Sequence, residues 1–114
     1  MTRGDLVLCA LPGDYGKPRP ALVVQSDLFN PTHSSISICP LTSDLKDARV
    51  IRLSVQPTTA NGLEKESQIM IDKVASAKRE RIGRRIGSIT MEELSRVDRA
   101  LKIWFGLETP NLGS

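Results

Sequence analysis

Apolar residues fall in short runs at Asp5 to Leu11, Ala21 to Ser26, Ser34 to Pro40, Val50 to Val55 and Gln68 to Val74. Each run is β-prone, and each is set off by clusters of Pro, Gly, Asn, Asp and Ser, the spacing expected of a small antiparallel barrel. In Ser35-Ile36-Ser37-Ile38 polar and apolar residues alternate strictly, which gives a strand one buried and one wet face. Ala21-Leu22-Val23-Val24 is apolar without interruption, so it belongs in the interior of the sheet with both faces covered. Arg84 to Ile89, with Ile86 and Ile89, forms a further strand of weaker periodicity. The period then changes. Thr90 followed by Glu93 is a capping-box pair and starts a helix, on which Leu94, Val97, Leu101, Trp104 and Phe105 share one face. Glu92, Arg96, Arg99 and Lys102 lie largely elsewhere, so the helix is expected to cover the barrel with Trp104 packed in the core. Thr109 to Ser114 reads as a frayed end, and the chain shows neither internal repeats nor a linker. The fold class is mainly β with a C-terminal helix.

Composition narrows this further. A chain of 114 residues makes one domain, 1–114, with no room for a second core. At 39% hydrophobic and 25% charged residues, disorder and an integral membrane protein are both excluded as classes. Aromatics are only 4%, so the core is aliphatic and no array of stacking rings is available to bind nucleic acid. Leu6 to Leu11 is too short for a secretory signal, and no run approaches the roughly 18 to 20 apolar residues of a membrane span. A cytoplasmic protein without membrane contact is expected. Cys9 and Cys39 lack metal-ligand spacing and sit in apolar runs, so they read as buried free thiols; no metal site and no cofactor are expected. Sixteen Lys and Arg against thirteen Asp and Glu leave +3, which suits an anionic partner without specifying one.

The chemistry concentrates in the loop Pro12-Gly13-Asp14-Tyr15-Gly16-Lys17-Pro18-Arg19-Pro20. Its glycines permit unusual dihedrals at one end, and its prolines restrict the other, as in a flap on a fixed hinge. Arg19, between two prolines and just before the most apolar strand, has few backbone alternatives. Its planar, permanently charged fork suits phosphate oxygens. A surface Arg paired with a nearby carboxylate fits the same residues.

Arg3-Gly4-Asp5 opening a strand, followed by Gly16-Lys17-Pro18-Arg19-Pro20-Ala21-Leu22-Val23-Val24-Gln25, resembles the MazF/PemK family of toxins from toxin–antitoxin systems. The likeness continues through Pro40-Leu41-Thr42-Ser43, Gly62-Leu63 with Ser67, Ile71-Asp72-Lys73, Ile86-Gly87 and Glu93-Leu94 with Val97, spanning Arg3 to Leu107. The resemblance implies a small SH3-like antiparallel barrel with a C-terminal helix, assembled as a homodimer. It also implies a sequence-specific, ribosome-independent endoribonuclease, restrained by a cognate antitoxin with an acidic or disordered C-terminal segment. In such a protein single-stranded RNA is cut without a metal by attack of the ribose 2′-OH on the adjacent phosphate, leaving a 2′,3′-cyclic phosphate and a 5′-OH. Proteins of the CcdB type share the fold and poison DNA gyrase through a C-terminal Trp-Gly-Ile. Trp104-Phe105-Gly106-Leu107 is similar only superficially, because Trp104 is in phase with the helix and further residues follow. A catalytically inactive barrel that only binds RNA or an antitoxin is the other alternative.

By this resemblance Arg19 matches the family's catalytic arginine, and Thr42 the threonine that accompanies it. An Arg with a pKa above about 12 is a poor proton acceptor, so Arg19 is expected to stabilise charge on the phosphorane. Thr42 is expected to position the phosphate or the 2′-OH, and a turn hydroxyl bonding its own backbone is the other reading. For a general base, Asp72 stands at the position of an acidic residue implicated in part of the family, although Ile69, Met70 and Ile71 before it offer no Arg companion. A salt bridge from Asp72 to Lys73 or Arg19 fits as well. Asp14 is a second candidate base, and His33 reads as an exposed loop residue. Candidate RNA contacts are Tyr15, as a base-stacking residue, with Lys17, Arg49, Lys78, Arg79 and Arg81. Lys78, Arg79, Arg81, Arg84 and Arg85 crowd into one stretch, which fits an RNA backbone, a solvated face or the surface that receives an acidic antitoxin tail.

Overall fold

A computed structural model describes residues 1–110 of the 114, so most of the expected frayed end, 111–114, lies outside the described residues. It shows seven strands and one helix: β1 (Asp5–Ala10), β2 (Pro18–Val23), β3 (Ser35–Thr42), β4 (Arg52–Val55), β5 (Ser67–Met70), β6 (Ala75–Lys78), β7 (Ile82–Ser88) and α1 (Met91–Trp104). All pairings are antiparallel, in the order β4-β5-β3-β2-β1-β7, with β6 also on β3. The mainly β class with a C-terminal helix is as the periodicity implies. The sheet is not closed into a barrel by a ladder, since β4 and β7 each end it.

Two elements depart from the expected pattern. The run Gln68 to Val74 is not one strand: β5 stops at Met70, and Ile71–Lys73 makes a turn of 3₁₀ helix. That turn lets one edge of β3 serve two partners, β5 at Leu41 and Thr42 and β6 from Ser35 to Ile38. Strand β6, Ala-Ser-Ala-Lys, has no β-propensity of its own and buries only Ala77. The free edge of β3 selects it, and single-sequence patterning carries no trace of that.

β2 has its apolar residues split between two cores, which explains the uninterrupted run. Leu22 and Val24 join Leu6, Cys39, Ile69 and Ile71 on the face covered by α1. Ala21 and Val23 join Val7, Cys9, Ile36, Ile38 and Ala77 on the other. The thiols of Cys9 and Cys39 are free and buried, and desolvation pushes that of Cys39 up to about 12. The helix starts as expected: Glu93 N–H donates to Thr90 Oγ1 at 3.0 Å, and Thr90 N–H donates to Glu93 Oε1 at 2.8 Å. Val97 and Ala100 are its buried residues, with Leu94 and Leu101 packed beside them. Trp104 and Phe105 are not in the core, contrary to expectation: they are 45% and 60% exposed. They lie where α1 ends and the chain leaves through Gly106 at φ 76°.

The two ends of the sheet are joined by backbone docking. The connection from β4 to β5 crosses to β7, where Ser88 N–H donates to Ala60 O at 3.0 Å. A Cβ at Gly62 would stand 2.1 Å from Ile86 O, and one at Gly87 would stand 2.4 Å from Ala60 O. Only glycine allows this approach, and at Gly62 a φ of 69° demands it again. Buried Asn61 holds the crossing in shape, its Oδ1 accepting from the N–H groups of Thr58 and Leu63 and its Nδ2 donating to Gln56 O. Arg52 of β4 grips Asp72 in the 3₁₀ turn with two bonds of 2.8 and 3.1 Å. The Arg52 hydrogen bonds hold the Asp72 carboxyl below its ordinary range.

Gly62→Ala and Gly87→Ala are each expected to lose about 2–3 kcal/mol or more by urea denaturation, because backbone atoms have to move. Gly13→Ala, where an added Cβ meets nothing within 4 Å, is the control, costing about 1–2 kcal/mol for its positive φ alone. Asp72→Asn is expected to cost about 1–3 kcal/mol at neutral pH. Since the folded carboxyl titrates below the unfolded one, that stabilisation is complete above about pH 4 and fades as the pH falls through the lowered value. Denaturation curves at decreasing pH should therefore show the gap between variant and parent narrowing once the pH falls below about 4.

Candidate active site

A cavity of about 500 Å³ opens where the start of β2, the end of β3, the Gly62–Ser67 segment and β7 meet. Arg19, Lys65, Arg84 and Glu64 supply its charged groups, Thr42, Ser43 and Ser67 its hydroxyls, and Leu8, Leu41, Leu63 and Ile86 its apolar wall. The register that pairs Val23 with Ile38 and Ala21 with Pro40 sets Arg19 opposite Thr42 when continued two residues further. Thr42 is placed by its pairing with Gln68, whose side chain also takes both backbone groups of Lys46 at 2.7 and 2.9 Å.

Arg19 is held by the flap. Its Nε donates to Asp14 Oδ2 at 2.8 Å and its Nη2 to Asp14 Oδ1 at 2.6 Å. This bidentate pair leaves Nη1 as the uncommitted end of the guanidinium. The Asp14 side chain is only 13% exposed, and turns at Leu11–Asp14 and Asp14–Lys17 fix the loop around it. The two readings of Arg19 left open by the sequence are thus compatible: it has a carboxylate partner and also lines the cavity. Thr42 Oγ1 accepts from Asp44 N–H at 3.1 Å, the turn role, which leaves its hydroxyl proton available to a ligand.

Other expected site residues lie elsewhere. Asp72 does not line the cavity, and its carboxylate is taken by Arg52, a cross-strand companion that no residue adjacent in sequence announces. Neither Lys73 nor Arg19 is its partner. Tyr15 stands at the flap tip, 98% exposed at φ 52°, with Lys17 exposed beside it. His33 is exposed in its loop, as expected. Arg49 is exposed on the loop before β4, within 3.9 Å of Asp47.

The basic stretch does not act as one patch. Arg79 donates to His33 O at 2.8 Å and to Asn30 O, stapling the 26–33 loop, and Arg85 pairs with Asp5 at 3.0 Å. Arg84 alone of that stretch lines the cavity, while Lys78 and Arg81 are exposed. The charged cavity residues that patterning missed are Lys65 and Glu64, although Gly62-Leu63 beside them belongs to the resemblance, and Arg84 stands in the basic stretch. Among the described residues no three His, Cys, Asp or Glu side chains gather as a metal site. Nor is any described helix long and apolar enough to cross a membrane.

Comparison with known proteins identifies the family. The family model described as PemK-like, MazF-like toxin of type II toxin–antitoxin system matches residues 2–105. A probable endoribonuclease MazF of Mycolicibacterium smegmatis is 40% identical over 108 residues, covering 94% of this chain and 98% of the relative. Endoribonuclease EndoA of Bacillus subtilis is 25% identical over 109 residues, 92% of this chain and 94% of that one. Among solved structures, Mycobacterium tuberculosis toxin MazF-mt6 superposes with a TM-score of 0.79 at 20% identity, over 91% of this chain and 98% of the other. A MazE–MazF structure from Deinococcus radiodurans gives 0.75 at 23% identity, over 93% and 95%. The chain belongs to the PemK-like, MazF-like toxins of type II toxin–antitoxin systems.

Proposed function

We propose that this toxin is an endoribonuclease that cuts single-stranded RNA at specific sequences, independently of the ribosome and of metal ions, until a cognate antitoxin binds it. The observation that carries this reading is the cavity that Arg19 of β2 and Thr42 of β3 both line, with Lys65 and Arg84 adding positive charge. The relatives named endoribonucleases support it.

A phosphodiester in the cavity meets Nη1 of Arg19, and its charge grows as the 2′-oxygen attacks phosphorus. Asp14, bonded to Arg19 and outside the cavity lining, keeps the guanidinium oriented and takes the 2′-OH proton. The 2′-O–P bond forms, the P–O5′ bond breaks, and the proton passes to the departing 5′-oxygen. The products are a 2′,3′-cyclic phosphate and a 5′-OH. Thr42 donates its hydroxyl proton to a phosphate oxygen. Tyr15, Lys17, Arg49, Lys78 and Arg81 guide the strand toward the cavity. Asp72 supports β4 and leaves the proton transfer to Asp14. A homodimer working in the cytoplasm, restrained by an antitoxin whose acidic or disordered C-terminal segment meets the basic surface, completes the reading. A solved mycobacterial endoribonuclease of similar fold is in complex with its cognate antitoxin, which supports such a partner.

Purified protein incubated with a long single-stranded RNA in EDTA is expected to give discrete cuts with cyclic-phosphate and 5′-OH ends. No cutting under these conditions, with gyrase-dependent DNA breakage instead, would overturn the reading. Arg19→Ala is expected to lower the single-turnover rate about 10²- to 10³-fold with the fold retained. Thr42→Ala and Asp14→Asn are each expected to lower it about 10²-fold, and full rates in all three would remove the site assignment.

A further inference from the structure

Asp14 is bonded to Arg19 and Asp72 to Arg52, and neither lines the cavity. Glu64 lines the cavity, is exposed, and has no ion pair or side-chain hydrogen bond among the described residues. A free carboxylate in a cavity built for phosphate repels the backbone it is meant to hold. Its use is therefore toward the part of a nucleotide that donates hydrogen bonds, which is the base edge.

The segment that carries Glu64 is unusually well fixed. Asn61 and the Gly62–Gly87 docking hold one side, and Ser67 Oγ donates to Lys65 O at 3.0 Å on the other. A reader of bases requires that rigidity, because discrimination depends on where the acceptor stands. Uracil presents two carbonyl oxygens around its single N–H, and both are repelled by a carboxylate. Adenine, cytosine and guanine each present an exocyclic amino group that a carboxylate accepts from. Resting on the proposed RNA cleavage, we propose that Glu64 reads one base beside the cut phosphate and selects an amino-bearing base against uracil.

The test uses the full chain and short single-stranded RNAs matched to its cut site, carrying each of the four bases in turn at each position flanking the scissile phosphate. At one position the parent is expected to cut amino-bearing bases at least about tenfold faster than uracil. In Glu64→Ala that ratio should collapse toward one, with uracil substrates cut faster than by the parent. In Glu64→Gln, whose amide can donate to a uracil carbonyl, the preference should move toward uracil. Ratios identical to the parent's in both variants overturn the inference. So does an equal loss on all four bases with the melting temperature retained, which would place Glu64 in the chemistry or on the phosphate. A parent that cuts no RNA fails differently, since there is then no ratio to change and the endoribonuclease reading itself falls.

Discussion

The backbone contact at Gly62 and Gly87 is what turns an open seven-stranded sheet into a body with a cavity. The strands alone leave β4 and β7 as unjoined ends. The crossing segment spans that gap with main chain against main chain, a separation no side chain fits, and Asn61 satisfies the polar groups it buries. Because the same segment continues into Leu63, Glu64 and Lys65, the contact that closes the fold also builds one wall of the cavity. Fold and site therefore share a hinge of stability: loosening the glycine contact lets the wall drift from Arg19 and Thr42 on the other side.

Arg19 answers a different constraint. An unpaired guanidinium at a sheet rim samples many rotamers and gives up side-chain entropy when it binds. Two bonds from Asp14 remove that freedom in advance, while the proline on each side restrains the backbone. The pair also lowers the net charge that the cavity presents, so in the proposed reading phosphate affinity leans on Lys65 and Arg84 while Arg19 contributes direction. Such an arrangement favours the moment when charge develops over tight ground-state binding.

How much of this the sequence shows depends on the range of the interaction concerned. The capping box at Thr90, the doubly buried Ala21–Val24 run and the alternation at Ile36 and Ile38 are written in neighbouring residues, and the structure has them as read. Strand β6 is set by an edge of β3 about forty residues away in the chain, and its Ala-Ser-Ala-Lys sequence carries no pattern of its own. The Arg52 partner of Asp72 is likewise twenty residues distant, visible only once β4 lies beside β5. Trp104 illustrates the opposite error: helical phase is a statement about direction, and it holds a residue in the core only while there is core beneath it. By its last turn α1 has run past Val97 and Ala100 to the margin of the sheet.

The positive charge is subject to the same logic. Five basic residues between Lys78 and Arg85 look like one phosphate-binding strip when read along the chain. In the fold they fall across the end of β6, a 3₁₀ turn and β7, so adjacent side chains point to different neighbours. Arg79 is spent on loop carbonyls and Arg85 on Asp5, both internal restraints that a ligand does not need to break. What remains for an anion is Arg84 in the cavity, with Lys78 and Arg81 exposed outside it, a smaller and more directional field than the run suggests. A net charge of +3 spread in this way attracts RNA only modestly at a distance. In the proposed reading, selectivity is then left to contacts made inside the cavity, where Glu64 is the uncommitted carboxylate among cations.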